Sequence, residues 1–202
     1  RRFTTRRILA IQKGEVTFSG SASFHIDEPG FTHQIPMPDV PPPESLPCEW
    51  QLLNQLKRTA PDPTSSQYVP FEARSARPIS PDDLTATEPV RNMWFRATRP
   101  LSDDQALHRY MLAYVSDYNF VITALQPHGV SPWSRNMQLA SLDHSLWFHR
   151  PVRVDEWLLY SVESPWAGGA RALVRGNIFN QAGELVASVA QEGLIRYRKD
   201  RT

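Results

Sequence analysis

Apolar residues recur along this chain with two different periods. Leu107, Tyr110, Met111, Tyr114 and Val121 fall at helical spacing, and Asp117 shares their stripe. The stripe is wide, so the helix it predicts is mostly buried. Ser102-Asp103-Asp104-Gln105 reads as a capping box at its start, with Ser102 as N-cap and Gln105 at the third helical position. Pro127 and Gly129 close the segment. Beyond it the pattern turns strand-like. Asn136 to Arg150 reads as one strand with poor alternation, and Asp155 to Glu163 as a second. Arg171 to Phe179 and Glu184 to Tyr197 form a pair around Asn180-Gln181-Ala182-Gly183, a hairpin signal. In the last strand Leu185, Ala187, Val189, Gln191, Gly193 and Ile195 share one face, and Gln191 is its one polar side chain.

The start of the chain repeats part of this layout. Arg6 to Phe24 reads as strand, Gln12-Lys13-Gly14-Glu15 turn, strand, and resembles the hairpin that turns at Gln181-Ala182-Gly183-Glu184. A weak internal duplication is the expectation. The second copy is preceded by a helix and strands and the first by nothing, so Arg1 is expected to fall inside the first domain. Most of the 18 prolines lie between residues 36 and 90, among Ser, Asp and Glu, a composition that suits a connection. A helix packed on a curved antiparallel sheet buries the apolar face of each. A long helix followed by four or five strands fits the α+β arrangement called the hotdog fold, and two copies make a double hotdog. The expected division is 1–35 as the C-terminal part of a first hotdog, 36–90 as linker and 91–202 as a second hotdog.

Charge and cysteine content narrow the classes. The 22 basic and 21 acidic residues nearly cancel, so no global field points to nucleic acid or a membrane surface. Cys48 is the only cysteine, which excludes an internal disulfide and any metal site built from several thiolates. His128, His144 and His149 lack metal-ligand spacing on a helix. No apolar run reaches the roughly 18 residues a membrane span needs. There is no Gly-rich phosphate loop, and the tryptophans lack the basic aromatic stripe of a single-strand binder. No cofactor or metal is expected, and no nucleic acid partner.

Three polar residues are candidates for chemistry. Asp117 sits on the predicted buried stripe, where a carboxylate is costly unless paired; desolvation there would suit it to take a proton. The competing reading is a helix-end Asp bonded to backbone or turned to solvent. Gln191 needs partners for both ends of its amide. It would hold a water or a substrate carbonyl, or simply be satisfied by backbone. Ser141 lies in Ser141-Leu142-Asp143-His144-Ser145, which holds a hydroxyl, a carboxylate and an imidazole. Neighbours on a strand point to opposite faces, so this run is not itself a triad. No Gly-x-Ser-x-Gly elbow occurs, which disfavours a covalent serine mechanism. A strand hydroxyl bonded to backbone is the competing reading for Ser141.

Several longer runs, in order, resemble the acyl-CoA thioesterase II (TesB-like) family. They are Ser141 to Pro151, Asp155 to Tyr160, Val186 to Gly193, Ser116 to Phe120, Ala124 to Gly129 and, near the start, Glu28 to Gln34 with Met37-Pro38. The likeness covers nearly the whole chain and is weakest in the Pro-rich middle. It implies a double hotdog that hydrolyses fatty acyl-CoA without a covalent intermediate. The family's catalytic Asp falls on Asp117, its hydroxyl residue, commonly Thr, on Ser141, and its Gln on Gln191. Members carry a helix and early strands of the first hotdog, including a Gly-Gly-Gln stretch, and none of that precedes Arg1. Peroxisomal relatives end in Ser-Lys-Leu, whereas this chain ends Lys199-Asp200-Arg201-Thr202. The resemblance therefore implies a bacterial-type cytoplasmic enzyme that forms homo-oligomers and takes acyl-CoA as its substrate. A hotdog enoyl-CoA hydratase and a non-catalytic acyl-CoA binder are the alternatives.

Overall fold

The computed structural model describes residues 2–49, 51–52, 70–78 and 84–198. The chain forms two compact units, Arg1–His33 and Gln34–Thr202. The first holds one antiparallel hairpin, β1 (Phe3–Gln12) and β2 (Glu15–His25). Lys13 and Gly14 turn it with φ of 52° and 86°, the paired left-handed geometry that matches strand twist in a two-residue turn.

The second unit is one seven-stranded antiparallel sheet with a helical layer on one face. Its strands are β3 (Phe71–Ser75), β4 (Val90–Ala97), β5 (Met137–Ser141), β6 (Ser145–Phe148), β7 (Leu158–Gly168), β8 (Arg171–Asn180) and β9 (Leu185–Tyr197). The order across the sheet is β3-β4-β7-β8-β9-β5, with β6 also paired to β9. Helix α1 (Gln105–Val115) and a 3-10 run, Val121–His128, supply the helical layer. Between them and the sheet lies the main core, including Phe95, Leu112, Val115, Phe120, Tyr160 and Ile178.

The expected long helix is two pieces. Its N-cap is Asp104, whose Oδ1 accepts from the Ala106 N–H at 2.9 Å, not Ser102. The Gln105 amide instead pairs with both backbone groups of Val152. The helix stops at Ser116, and Asn119 adopts a φ of 55°, a left-handed conformation that Asn tolerates and a continuing helix cannot contain. The buried face is also not the expected one. His108, Leu112 and Val115 are buried, while Tyr110 and Tyr114 are exposed. Leu112 and Val115 outcompete the tyrosines because an aliphatic side chain buries no polar end. His108 is tolerated because its Nε2 donates to the Ser102 carbonyl and its Nδ1 accepts from the Val154 N–H.

Two expectations for the strands also change. The run Asn136 to Arg150 is split into β5 and β6, both paired to β9. The expected connection 36–90 contains β3, where Phe71, Ala73 and Ser75 alternate inward and pair with β4. Residues 50, 53–69 and 79–83 of that stretch lie outside the described residues. The Pro-rich segment just before them is a covering layer. Met37, Val40 and Leu46 pack on Trp94, Trp157, Leu159 and Phe179, which form a second cluster on the sheet face away from α1. The Trp94 Nε1–H donates to the Pro41 carbonyl at 2.9 Å. Proline suits this strap because it lacks the N–H that a covering strand would have to satisfy.

Candidate active site

The site forms where α1 ends and where the pairing of β5 and β6 along β9 is interrupted. Ser141 closes β5 opposite Gly193, and Ser145 opens β6 opposite Ala190. Four steps on one side oppose three on the other, so Leu142-Asp143-His144 is a bulge. Glu192 stabilises it: its carbonyl accepts from the Leu142 N–H at 2.9 Å, and its N–H donates to Asp143 Oδ1 at 2.8 Å. The bulge turns Ser141 and His144 toward the same partner, Gln191 of β9. The Asp143 carboxylate is engaged with backbone, so it does not pair with His144.

The turn after α1 supplies the other partner. Asp117 follows the C-cap Ser116 and is exposed. The buried carboxylate expected from helical spacing is therefore not found, because the stripe it shares with Tyr110 and Tyr114 faces outward. Tyr160 pins the turn, its buried hydroxyl donating to the Ser116 carbonyl at 2.8 Å. Burial first, and then the negative charge of Asp117, push the Tyr160 phenol well above its ordinary range, so it stays a donor. Close approach of β9 to the 3-10 run needs glycine at position 193, where a Cβ would meet the Val121 methyl groups at 2.6 Å.

Asp117, Ser141 and Gln191, expected from three separate elements, meet in one directed chain of hydrogen bonds. The Ser141 hydroxyl donates to Asp117, 3.0 Å from Oδ1 and 3.3 Å from Oδ2. The Gln191 Nε2 donates to Ser141 Oγ at 2.9 Å. Gln191 is 1% exposed, as strand alternation predicts, whereas Asp117 and Ser141 lie open. The chain then continues through residues that periodicity does not flag. Gln191 Oε1 faces His144 Nδ1, and His144 Nε2 lies 2.8 Å from Ser116 Oγ. The legible signal for this extension is compositional: Ser116 directly precedes Asp117, and His144 follows Ser141 by three residues.

The arrangement gives an open carboxylate, a hydroxyl whose proton is committed to it, and a buried amide holding that hydroxyl from behind. A carboxylate so placed has free lone pairs for a water proton, and both Ser141 Oγ and Gln191 Nε2 retain further hydrogen-bonding capacity. Among the described residues no group of three or more His, Cys, Asp or Glu side chains is placed to hold a metal ion.

The family model described as acyl-CoA thioesterase matches residues 72–194, more than half of the chain. The chain belongs to the acyl-CoA thioesterase family. Mouse acyl-coenzyme A thioesterase 8 is 41% identical over 97% of this chain and 64% of its own length. The chain thus spans less than two thirds of that relative. Among solved structures, acyl-CoA thioesterase II TesB2 of Mycobacterium marinum is 41% identical with a TM-score of 0.78, over 98% of this chain and 70% of that one. A hotdog-fold protein of Alicyclobacillus acidocaldarius is 20% identical with a TM-score of 0.72, over 98% and 69%. The last match concerns the fold alone, and the sheet carrying helical elements on one face is a hotdog thioesterase fold. Asp117 in the turn after α1, Ser141 and His144 at the two ends of the bulge, and Gln191 of β9 all lie inside the matched residues 72–194. Among the described residues no helix is long and apolar enough to cross a membrane.

Proposed function

We propose that the protein hydrolyses fatty acyl-CoA thioesters by direct attack of water, with Asp117 as general base and Ser141 and Gln191 fixing that water. One observation carries the reading: the directed chain in which Gln191 donates to Ser141 and Ser141 donates to Asp117. Family membership supplies the substrate class. Water binds with one hydrogen on the Asp117 carboxylate and is oriented by Ser141 Oγ and the second Nε2 hydrogen of Gln191. As its oxygen attacks the thioester carbon, its proton passes to Asp117. The tetrahedral intermediate then collapses to carboxylic acid and the CoA thiolate, which takes up a proton. Holding water and thioester in register replaces a bimolecular encounter, a gain of several orders of magnitude. The buried amide behind Ser141 costs little reorganisation during the step.

The same proposal takes the protein as a double hotdog whose other half contains β1 and β2, assembled as a homo-oligomer and working in the cytoplasm. The family resemblance supports these points, and the lone free cysteine Cys48 suits a reducing compartment.

Thiol release from acyl-CoA tests the reading. Asp117→Asn lowers kcat by about 10²–10⁴-fold, the range of general-base catalysis, with KM little changed. Intact-mass measurement during turnover detects no acyl adduct on Ser141. Wild-type turnover in Asp117→Asn, or a stoichiometric acyl adduct, overturns it.

A further inference from the structure

We propose that His144 is a positioning residue that sets the direction of the Gln191 amide, and through it the direction of the whole hydrogen-bond chain; this rests on the reading above for its kinetic arm only. Asp117 as a carboxylate only accepts. Ser141 has one hydroxyl proton, and Asp117 takes it. Ser141 Oγ must therefore accept from Gln191, which requires Nε2 to face it. That leaves Oε1 on the opposite side of the amide, against His144 Nδ1. Amide oxygen and nitrogen are nearly the same size, so packing does not choose between them and hydrogen-bond partners do. A bare Nδ1 would set lone pair against lone pair and favour the flipped amide. The flipped amide in turn sets Oε1 against Ser141, whose proton is already committed.

The far side of the imidazole makes this choice robust. Nε2 lies 2.8 Å from Ser116 Oγ, which also lies 2.9 Å from the Ala113 carbonyl. A hydroxyl has one proton to give. With neutral His144, Ser116 donates to Nε2 and Nδ1 carries the ring proton. With His144 protonated, Nε2 donates to Ser116 and Ser116 donates to Ala113. Nδ1 is a donor in both cases. The one form that breaks the chain is the neutral ring protonated on Nε2 alone. Phe120 holds the ring edge-to-face, with centroids 6.2 Å apart. Ser116 is fully buried and is the residue before Asp117, so the network closes on itself. The turn that carries the carboxylate also anchors the histidine that orients the amide.

The test has a spectroscopic and a kinetic arm on the full protein. Nitrogen-15 NMR of the His144 ring distinguishes a protonated from a bare Nδ1 whether or not thioester is cleaved. Protonated Nδ1 is expected in the wild type, shifting toward the Nε2–H form in Gln191→Ala; a bare Nδ1 in the folded wild type overturns the proposal. In the kinetic arm, His144→Phe keeps a ring without a donor and lowers kcat by up to about 100-fold, the scale of a misplaced catalytic group, with KM within about twofold. His144→Asn places an amide N–H near the Nδ1 position and restores most of the turnover. His144→Phe combined with Gln191→Ala is no slower than Gln191→Ala alone, because the histidine acts through the glutamine. Additive losses, or equal damage from Asn and Phe in variants that melt like the wild type, overturn it. Failure of Asp117→Asn to lose activity would sink the proposed function and leave the NMR result standing.

Discussion

Ser141 is placed so that its hydroxyl both gives and receives. It donates to Asp117 and accepts from Gln191, and each bond requires the other. An aliphatic side chain at 141 would leave a buried amide hydrogen without its acceptor and the carboxylate without its donor. Ser141→Ala is therefore expected to lower kcat by about 10–100-fold, as a lost positioning bond does, and to cost about 1–3 kcal/mol of stability, because the buried Gln191 amide loses its acceptor. Ser141→Thr keeps the hydroxyl and is expected to stay within about threefold of the wild type, since a β-branched residue suits the end of a strand. Steady-state thiol release separates the two variants. Equal losses in Ala and Thr would mean that the hydroxyl is not what position 141 contributes. The residues differ in how they could be read from sequence. Gln191 was legible, as the one polar side chain on an apolar strand face, and it is buried there. Helical spacing points to Asp117, yet the stripe it shares with Tyr110 and Tyr114 faces solvent. Ser141 and His144 carry no periodic signal, because the bulge between them suspends alternation.

At the scale of elements, the hairpin turns follow their turn residues closely and β9 alternates as expected from Ala187 onward, but Leu185, set apart by a register shift opposite Phe179, packs on the other face, and the helix departs further. Its true start depends on Asp104 rather than Ser102, and its end on Asn119 accepting a left-handed backbone. Neither is visible in a hydrophobic stripe. What seats the start of α1 is a carboxylate from the loop before β7. Asp155 accepts from the Leu101 N–H at 2.9 Å and from Arg153 Nη2 at 2.9 Å, and His108 Nδ1 lies 4.0 Å away. Burial works against the Asp155 charge, but the Leu101 N–H and the Arg153 guanidinium outweigh it and hold the carboxyl below its ordinary value of 3.8. A carboxyl lowered on folding stabilises the fold fully above the unfolded value. That contribution fades as pH falls through it toward the folded one. Chemical denaturation of wild type and Asp155→Asn should thus show a constant gap above about pH 5 that closes as pH falls below about 4. A gap that widens in acid would contradict the assigned direction.

The sheet of the second unit is covered on both faces, and the two covers have separate jobs. One face carries α1, the 3-10 run and the Asp117–Ser141–Gln191 chain. The other is closed by the strap from Gln34 to Leu46, whose apolar side chains seal Trp94, Trp157, Leu159 and Phe179. Arg74 and Arg96 stack their guanidinium groups 5.3 and 4.4 Å from the Trp157 ring, and Glu72 bonds both. Proline content alone could not distinguish a strap from a linker, because both avoid regular secondary structure and differ only in what lies beneath. The strap begins at Gln34, whose amide imitates a strand: Nε2 donates to the Gly183 carbonyl at 2.8 Å and Oε1 accepts from the Leu185 N–H at 3.1 Å. Gln34→Ala removes both bonds at an exposed position, so it is expected to cost about 1 kcal/mol, the lower end for two hydrogen bonds. The loss should be local, because the strap lies across the sheet from the site. Limited proteolysis between residues 34 and 46 is therefore expected to quicken severalfold, as local opening free energy falls, while thiol release stays at the wild-type rate. Protection that is unchanged would mean the apolar contacts hold the strap without Gln34. A matching fall in turnover would mean that the two faces of the sheet are coupled through β8 and β9, the strands that carry Phe179 on one side and Gln191 on the other.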